Sequence, residues 1–361
     1  MMMKEVLEDV MPCMVVVVME ACAIGLTILA STVMAKGMSP FVFVVYTNAL
    51  ASVLLLPSSF FPHLRKHPFV SLPILTRIFF LGMTGIVIAQ NLASVGLSYS
   101  SPILACGMGN LIPSFSFLLP VILRVTKFDW RRSSDRAKLM GTLISILGAV
   151  SITLYRGPVI RKHSYSSSSH LLIQSVQRLF IFSSTHENWL LGAILLAAAS
   201  FAFSAWNIIQ IGTLKHCPEP MEIASAYTLA GTVQTAILSV ITERNPSAWR
   251  LKLDMEILAI VLTAVFGSVI RSRLQLWCVK VKGPLYVSLF KPLGIPISTL
   301  CGCVFFAESF HYGSIMGAAM VGTGYYTMMW GHTLEDEEPN EHGTVDSSDE
   351  KAPLLPGDSQ V

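Results

Sequence analysis

Charge is scarce in this chain of 361 residues. Only 13% of them are Asp, Glu, Lys or Arg, where a water-soluble domain carries about 25%. Hydrophobic residues make up 53%, and mean hydropathy is +0.61. Such a chain cannot clothe itself in a hydrated surface, so lipid must solvate much of it. The net charge of +3 is too small to point to nucleic acid.

Other absences narrow the chemistry. There is no Walker A loop to cradle nucleotide phosphates, and "GMGNLIPSFSF" follows no strand, so it is no dinucleotide loop. The nine histidines (His63, His67, His163, His170, His186, His216, His311, His332 and His342) all fall in loops or the tail, so no span holds a histidine to activate a serine. Of seven cysteines, only Cys217 lies outside an apolar segment. Cys301-x-Cys303 has the wrong spacing for a zinc knuckle. These readings call for no catalytic residue, no cofactor and no metal. The N-terminus "MMMKEVLEDV" lacks the basic region of a signal peptide, and the apolar run after it is too long for a signal core. It reads as a retained span.

What is present is a series of long apolar runs. A membrane helix needs ~20 such residues. Ten runs qualify: 11–35, 41–61, 72–97, 102–123, 137–155, 189–210, 222–242, 255–279, 284–307 and 312–330. "LLIQSVQRLFIF", 171–182, is too short and polar, and suits a short interfacial helix or a disordered stretch. The segment from Thr333 carries nine acids and one lysine and reads as disordered. Basic residues cluster in the loops after the second, fourth and eighth spans, among them Arg65, Lys66, Arg124, Lys127, Arg131, Arg132, Lys280 and Lys282. That bias places both termini in the cytoplasm.

The longest connection, 156–188, divides the spans five and five. An odd number per half makes homologous halves inverted repeats. The fourth and ninth spans each open with a proline and carry a second at Pro113 or Pro296. The following span is rich in small residues: Gly141 and Gly148 in one half, Gly313, Gly317 and Gly324 in the other. The domain boundaries are therefore 1–10 cytoplasmic N-terminus, 11–155 first five-helix repeat, 156–188 connecting loop, 189–332 second repeat and 333–361 disordered acidic tail.

"GLSYSSPILACGMGNLIPSFSFLLPVILR", "AKLMGTLISILGAVSITLYRGP", "KGPLYVSLFKPL" and "KGMSPFVFVVYTNALASVLLLP" together resemble the plant nodulin-like, walls-are-thin-related proteins. These belong to the EamA-type branch of the drug/metabolite transporter superfamily. Trp189, Trp206, Trp249 and Trp277 fit the same resemblance, which covers roughly residues 10–332. Many members have Tyr-Arg at Tyr46-Thr47, Asn at Lys291 and Glu at Thr126. The resemblance implies an all-α integral membrane protein of ten helices in two inverted five-helix repeats. It implies export or bidirectional passage of amino acids or related small organic solutes by alternating access. Auxin is one alternative solute; a non-transporting receptor or accessory protein is another reading. The implied partners are a small organic solute and the bilayer, with no nucleic acid. The implied location is the plasma membrane, with the vacuolar membrane as alternative.

The buried polar residues are candidates for the solute path. Glu20 lies roughly 14 Å and Lys291 roughly 10 Å inside their spans, at 1.5 Å per residue. Charges so deep cost about 2.5–3.5 kcal/mol each and usually face a partner, a cavity or a water path. A Glu20–Lys291 ion pair fits the similar depths; snorkelling of Lys291 and a neutral Glu20 is the plainer alternative. Pro292 and Pro296 remove backbone donors, and Asn110 with Pro113 occupies the corresponding place in the first half. Such breaks can aim backbone dipoles at a solute or be ordinary kinks. Gln90, Asn91, Asn207, Gln210 and Gln234 each need partners in a dry bundle, either a neighbouring helix or a solute. Trp206 and Trp277 suit interface anchors. Arg271 and Arg273 can snorkel, and carboxylate binding by Arg271 is the lesser reading. In the tail, Glu350, Leu354 and Leu355 match an acidic dileucine sorting signal for an adaptor.

Overall fold

The computed structural model describes residues 2–60, 72–124, 126, 128–154, 159–161, 189–214, 220–251, 255–282, 284–298 and 310–337. The long helices are α1 (Met2–Ala35), α2 (Pro40–Phe60), α7 (Ser133–Leu154), α8 (Trp189–Leu214), α9 (Pro220–Thr242) and α13 (Tyr312–Glu337). Between them lie interrupted helices. α3 (Leu72–Gly82) runs through a π-helical segment, Met83–Gln90, into α4 (Asn91–Ser98). α10 (Met255–Leu262) runs through a second π segment, Thr263–Ile270, into α11 (Arg271–Lys282). α5 (Pro102–Gly109) and α6 (Ile112–Ile122) are separated by a turn. α12 (Pro284–Leu289) passes through a 3-10 turn at Lys291–Leu293, and residues 294–298 are helical again.

Among the described residues, seven helices are long and apolar enough to cross a membrane, and Pro40–Leu56 is a shorter apolar helix. The chain is therefore a helical, multi-pass membrane protein. Its surface agrees. On α7, Leu143, Leu147, Val150 and Leu154 are exposed at the spacing of one helix face. Val233, Ile237 and Val240 do the same on α9. Stripes of this kind suit lipid and not water. One departure from an all-helical chain is small. β1 (Val159–Arg161) pairs antiparallel with β2 (Phe310–His311), joining the segment after α7 to the start of α13. The β-branched Val159-Ile160 pair favours this extended conformation.

Local chemistry explains the ends. α1 stops at Gly37, whose φ of +105° suits glycine alone. The Met38 amide reaches Val33 O at 3.3 Å and the Gly37 amide reaches Met34 O at 3.0 Å, a Schellman closure. α5 starts with Pro102 behind Ser101, whose hydroxyl accepts from the Leu104 amide at 3.4 Å, as an N-cap should.

The breaks fall at or just before two of the three prolines picked out from sequence, Pro113 and Pro292. In the first half the turn is Asn110-Leu111, and Pro113 sits in the first turn of α6. There its missing N–H would have had no helical partner anyway. In the second half Pro292 lies within the 3-10 turn. Pro296 lies inside the resumed helix at 294–298, so it is not itself where the backbone turns.

The small-residue helices pack on each other. α7 and α13 run antiparallel along Gly141, Gly148, Gly317 and Gly324. A Cβ placed on Gly141 would stand 2.6 Å from Gly324 O, and one on Gly324 2.6 Å from Gly141 O. Contact this close needs glycine, and it places backbone against backbone. At the end of this seam Lys138, buried to 4% side-chain exposure, forms an ion pair with Glu335, which also lies 3.7 Å from His332 Nδ1. His332 is the first of the hydrogen-bond partners that hold the Glu335 carboxyl down, to about 2, with Lys138 the other.

Candidate functional site

A cavity of about 350 Å³ opens between the two halves of the chain. α1 lines it with Leu26, Thr27 and Met34, and α8 with Leu196, Ser200 and Phe203. The second π segment and its exit contribute Thr263, Phe266 and Arg271. Cavities of this size suit small organic molecules. Among the described residues the lining is chiefly apolar, with four hydroxyl side chains (Thr27, Ser94, Ser200 and Thr263) and one charge, Arg271.

Arg271 is where it is because of the π segment. Its amide reaches back five residues, to Phe266 O, and not four. Wide turns shift the angular position of everything that follows, and π turns recur at functional sites. Its guanidinium Nη2 lies 3.3 Å from Glu20 Oε1 on α1. Glu20 therefore takes Arg271 as its partner in place of the Lys291 suggested by depth. Lys291 is exposed and makes no direct ion pair among the described residues, though the charges of Arg271 and Glu20 both act on it. Glu20 of α1 and Arg271 of α11 form the pair, and Lys291 of the broken span is near enough for both charges to act on it.

The amides picked out from sequence lie elsewhere. Gln90 Oε1 accepts from Asn48 Nδ2 at 2.6 Å, tying α2 to the first π segment. Asn91 Nδ2 donates to Thr235 Oγ1 at 2.9 Å, tying α4 to α9. Gln234 Nε2 donates to Phe79 O at 3.2 Å. Asn110 Nδ2 donates to Cys106 O of its own helix at 3.2 Å, beside the cavity-lining Gly109. Asn207 and Gln210 are half-buried on α8, and neither lines the cavity. Three of these amides thus join helices. Trp206 is also inside the bundle and not an interface anchor: it makes an edge contact with Tyr227 at 5.7 Å, and a Cβ on Gly85 would meet its indole nitrogen at 2.7 Å. Trp277 is exposed. Glu350, Leu354 and Leu355 lie outside the described residues.

Sequence reading missed Asn48 and most of the cavity wall. Asn48 stands at a buried position in an apolar run, and a buried amide always asks for a partner. For Ala23, Ala105, Leu196 or Phe266 no sequence signal exists, because apolar residues facing a cavity look like apolar residues facing lipid.

Comparison with known proteins follows the same lines. A family model described as the EamA-like transporter family matches residues 11–154. One WAT1-related protein of Arabidopsis thaliana is 49% identical over 92% of this chain and 89% of its own length. A second is 46% identical over 96% of each chain, and a third is 36% identical over 96% of each. A protein of known crystal structure, 18% identical, matches with a TM-score of 0.50 over 89% of this chain and 98% of its own, a likeness of fold alone. Matches of this identity, running nearly end to end, place the chain in the WAT1-related family of EamA-like membrane transporters.

Proposed function

We infer that the chain is a secondary transporter of amino acids or related small organic solutes. It works as an exporter or bidirectional facilitator, by alternating access through the central cavity. The observation that carries this reading is the cavity itself. It lies between residues of both halves, is of solute size, and, among the described residues, holds one guanidinium and four hydroxyls in a chiefly apolar wall. Auxin, a carboxylate with an apolar body, is the alternative solute.

Ten spans in two inverted five-helix repeats, 11–155 and 189–332, complete this reading. Three recurrences support it. A π segment interrupts the third span of each half, at Met83–Gln90 and Thr263–Ile270. A turn interrupts the fourth, at Asn110-Leu111 and near Lys291–Leu293. The glycines of the fifth meet in reciprocal pairs, the pattern of an approximate two-fold axis. Both termini would face the cytoplasm, and the plasma membrane is the favoured location over the vacuolar membrane.

The test is flux. Purified protein in liposomes is offered a panel of labelled amino acids and auxin. Saturable passage of at least one establishes transport. Passage of none, with the protein intact and oriented, favours a receptor or accessory role.

A further inference from the structure

We propose that Arg271 receives the carboxylate of the solute, and that Glu20 is its resident counter-ion, displaced when the solute arrives. This rests on the transport reading only in taking the central cavity as the solute's place. Among the described residues that line the cavity, Arg271 is the sole charged one, and none is Asp or Glu. A guanidinium offers five donors in a planar fork. Among the described residues only one is engaged, by Glu20, at 3.3 Å. A carboxylate that grips the fork through both oxygens binds more strongly than one long contact. The Arg271 side chain keeps 31% of its surface exposed and Glu20 only 13%, so the arginine is the accessible member of the pair.

Two further observations complete the site. Lys291 is a second base near enough for the charges of Arg271 and Glu20 to act on it, so an entering anion does not meet Glu20 alone. Thr263, two turns before Arg271, lines the cavity and has a buried hydroxyl with no hydrogen-bond partner among the described residues. A buried hydroxyl left without a partner is costly, and a second polar group on the solute would satisfy it. The remaining wall, including Leu26, Phe43, Leu97, Phe203 and Phe266, suits an apolar body. The ligand class is small organic carboxylates with an apolar body, and the carboxylate end is set by exchange for Glu20.

The test uses the full chain in lipid nanodiscs and measures equilibrium binding of hydrocinnamate and of its neutral amide. Arg271→Gln is expected to weaken hydrocinnamate at least about tenfold, the scale of a charge-assisted hydrogen bond. Glu20→Gln removes the competitor and is expected to tighten hydrocinnamate several-fold. The neutral amide should bind alike in all three proteins. If Arg271→Gln does not fold, the gain in Glu20→Gln decides alone. Weaker anion binding in Glu20→Gln overturns the proposal, as does a wild type that prefers the amide or binds neither probe. The two readings fail separately. Binding with this pattern but no flux sinks transport and leaves the inference. Flux whose carboxylate preference survives Arg271→Gln sinks the inference and leaves transport.

Discussion

Gly148 of α7 and Gly317 of α13 press backbone to backbone. A Cβ on Gly148 would stand 2.9 Å from Gly317 O, and one on Gly317 2.8 Å from Gly148 O. The nearest neighbour of a Cβ on Gly148 is Val321 N at 2.7 Å, and such main-chain atoms cannot step aside as a flexible side chain would. Gly148→Leu is expected to cost about 1–3 kcal/mol, the scale of overpacking. It should lower the apparent melting temperature in detergent. Gly322→Ala, with nothing among the described residues within 4 Å of the added carbon, should be neutral or slightly stabilising, since alanine favours helix over glycine. Equal melting temperatures for Gly148→Leu and wild type would refute the close-packed seam.

Lys138 and Glu335 close one end of that seam. Glu335 titrates at about 2 in the folded protein, against an ordinary value of 4.5, held down by His332 and Lys138. A depressed carboxyl contributes stability above its unfolded value, and that contribution is lost as pH falls toward the folded one. Melting temperature should therefore decline between about pH 4.5 and pH 2. Glu335→Gln should flatten the decline over this window. A profile unchanged by Glu335→Gln would show that other groups govern acid stability.

Asn91 and Thr235 join α4 to α9 across 2.9 Å. Such interhelical bonds in membranes average about 0.6 kcal/mol. A double-mutant cycle with Asn91→Ala and Thr235→Val should return a coupling of that order. A coupling of zero would mean that the amide serves something other than helix contact.

Ala105 lines the cavity from α5. Ala105→Trp adds a large ring to a space of about 350 Å³. Flux in liposomes should fall to near background, with yield and melting temperature little changed. Undiminished flux would place the solute path elsewhere.

Lys291 is exposed and has no direct ion pair among the described residues. Lys291→Met should change stability by less than about 0.5 kcal/mol, as for most substitutions away from structured contacts. It should still alter which solutes pass, because its charge acts on the Glu20–Arg271 pair. Unchanged rates and unchanged preference across the solute panel would remove Lys291 from the site.

Much of the frame was legible in the amino-acid order. Apolar length marked the long helices, because a bilayer demands a fixed run of residues that make their own hydrogen bonds. Prolines marked, to within a few residues, the turns at Asn110-Leu111 and Lys291–Leu293, since proline removes a backbone donor. Glycine-rich runs marked the helices that would approach closely. The partner of Glu20 was another matter. Depth along a span suggested Lys291, but depth says nothing about the direction in which a side chain points.

That direction is what tertiary structure decided. Two π segments shift the angular register of the residues beyond them, so a regular 3.6-residue period misplaces Arg271. The same limit hid the cavity wall. Local sequence determines which segments leave water and how they end, because solvation and backbone chemistry act residue by residue. Only the packed bundle decides which polar groups satisfy each other and which face an open space, because those partners lie up to 251 positions apart in the chain.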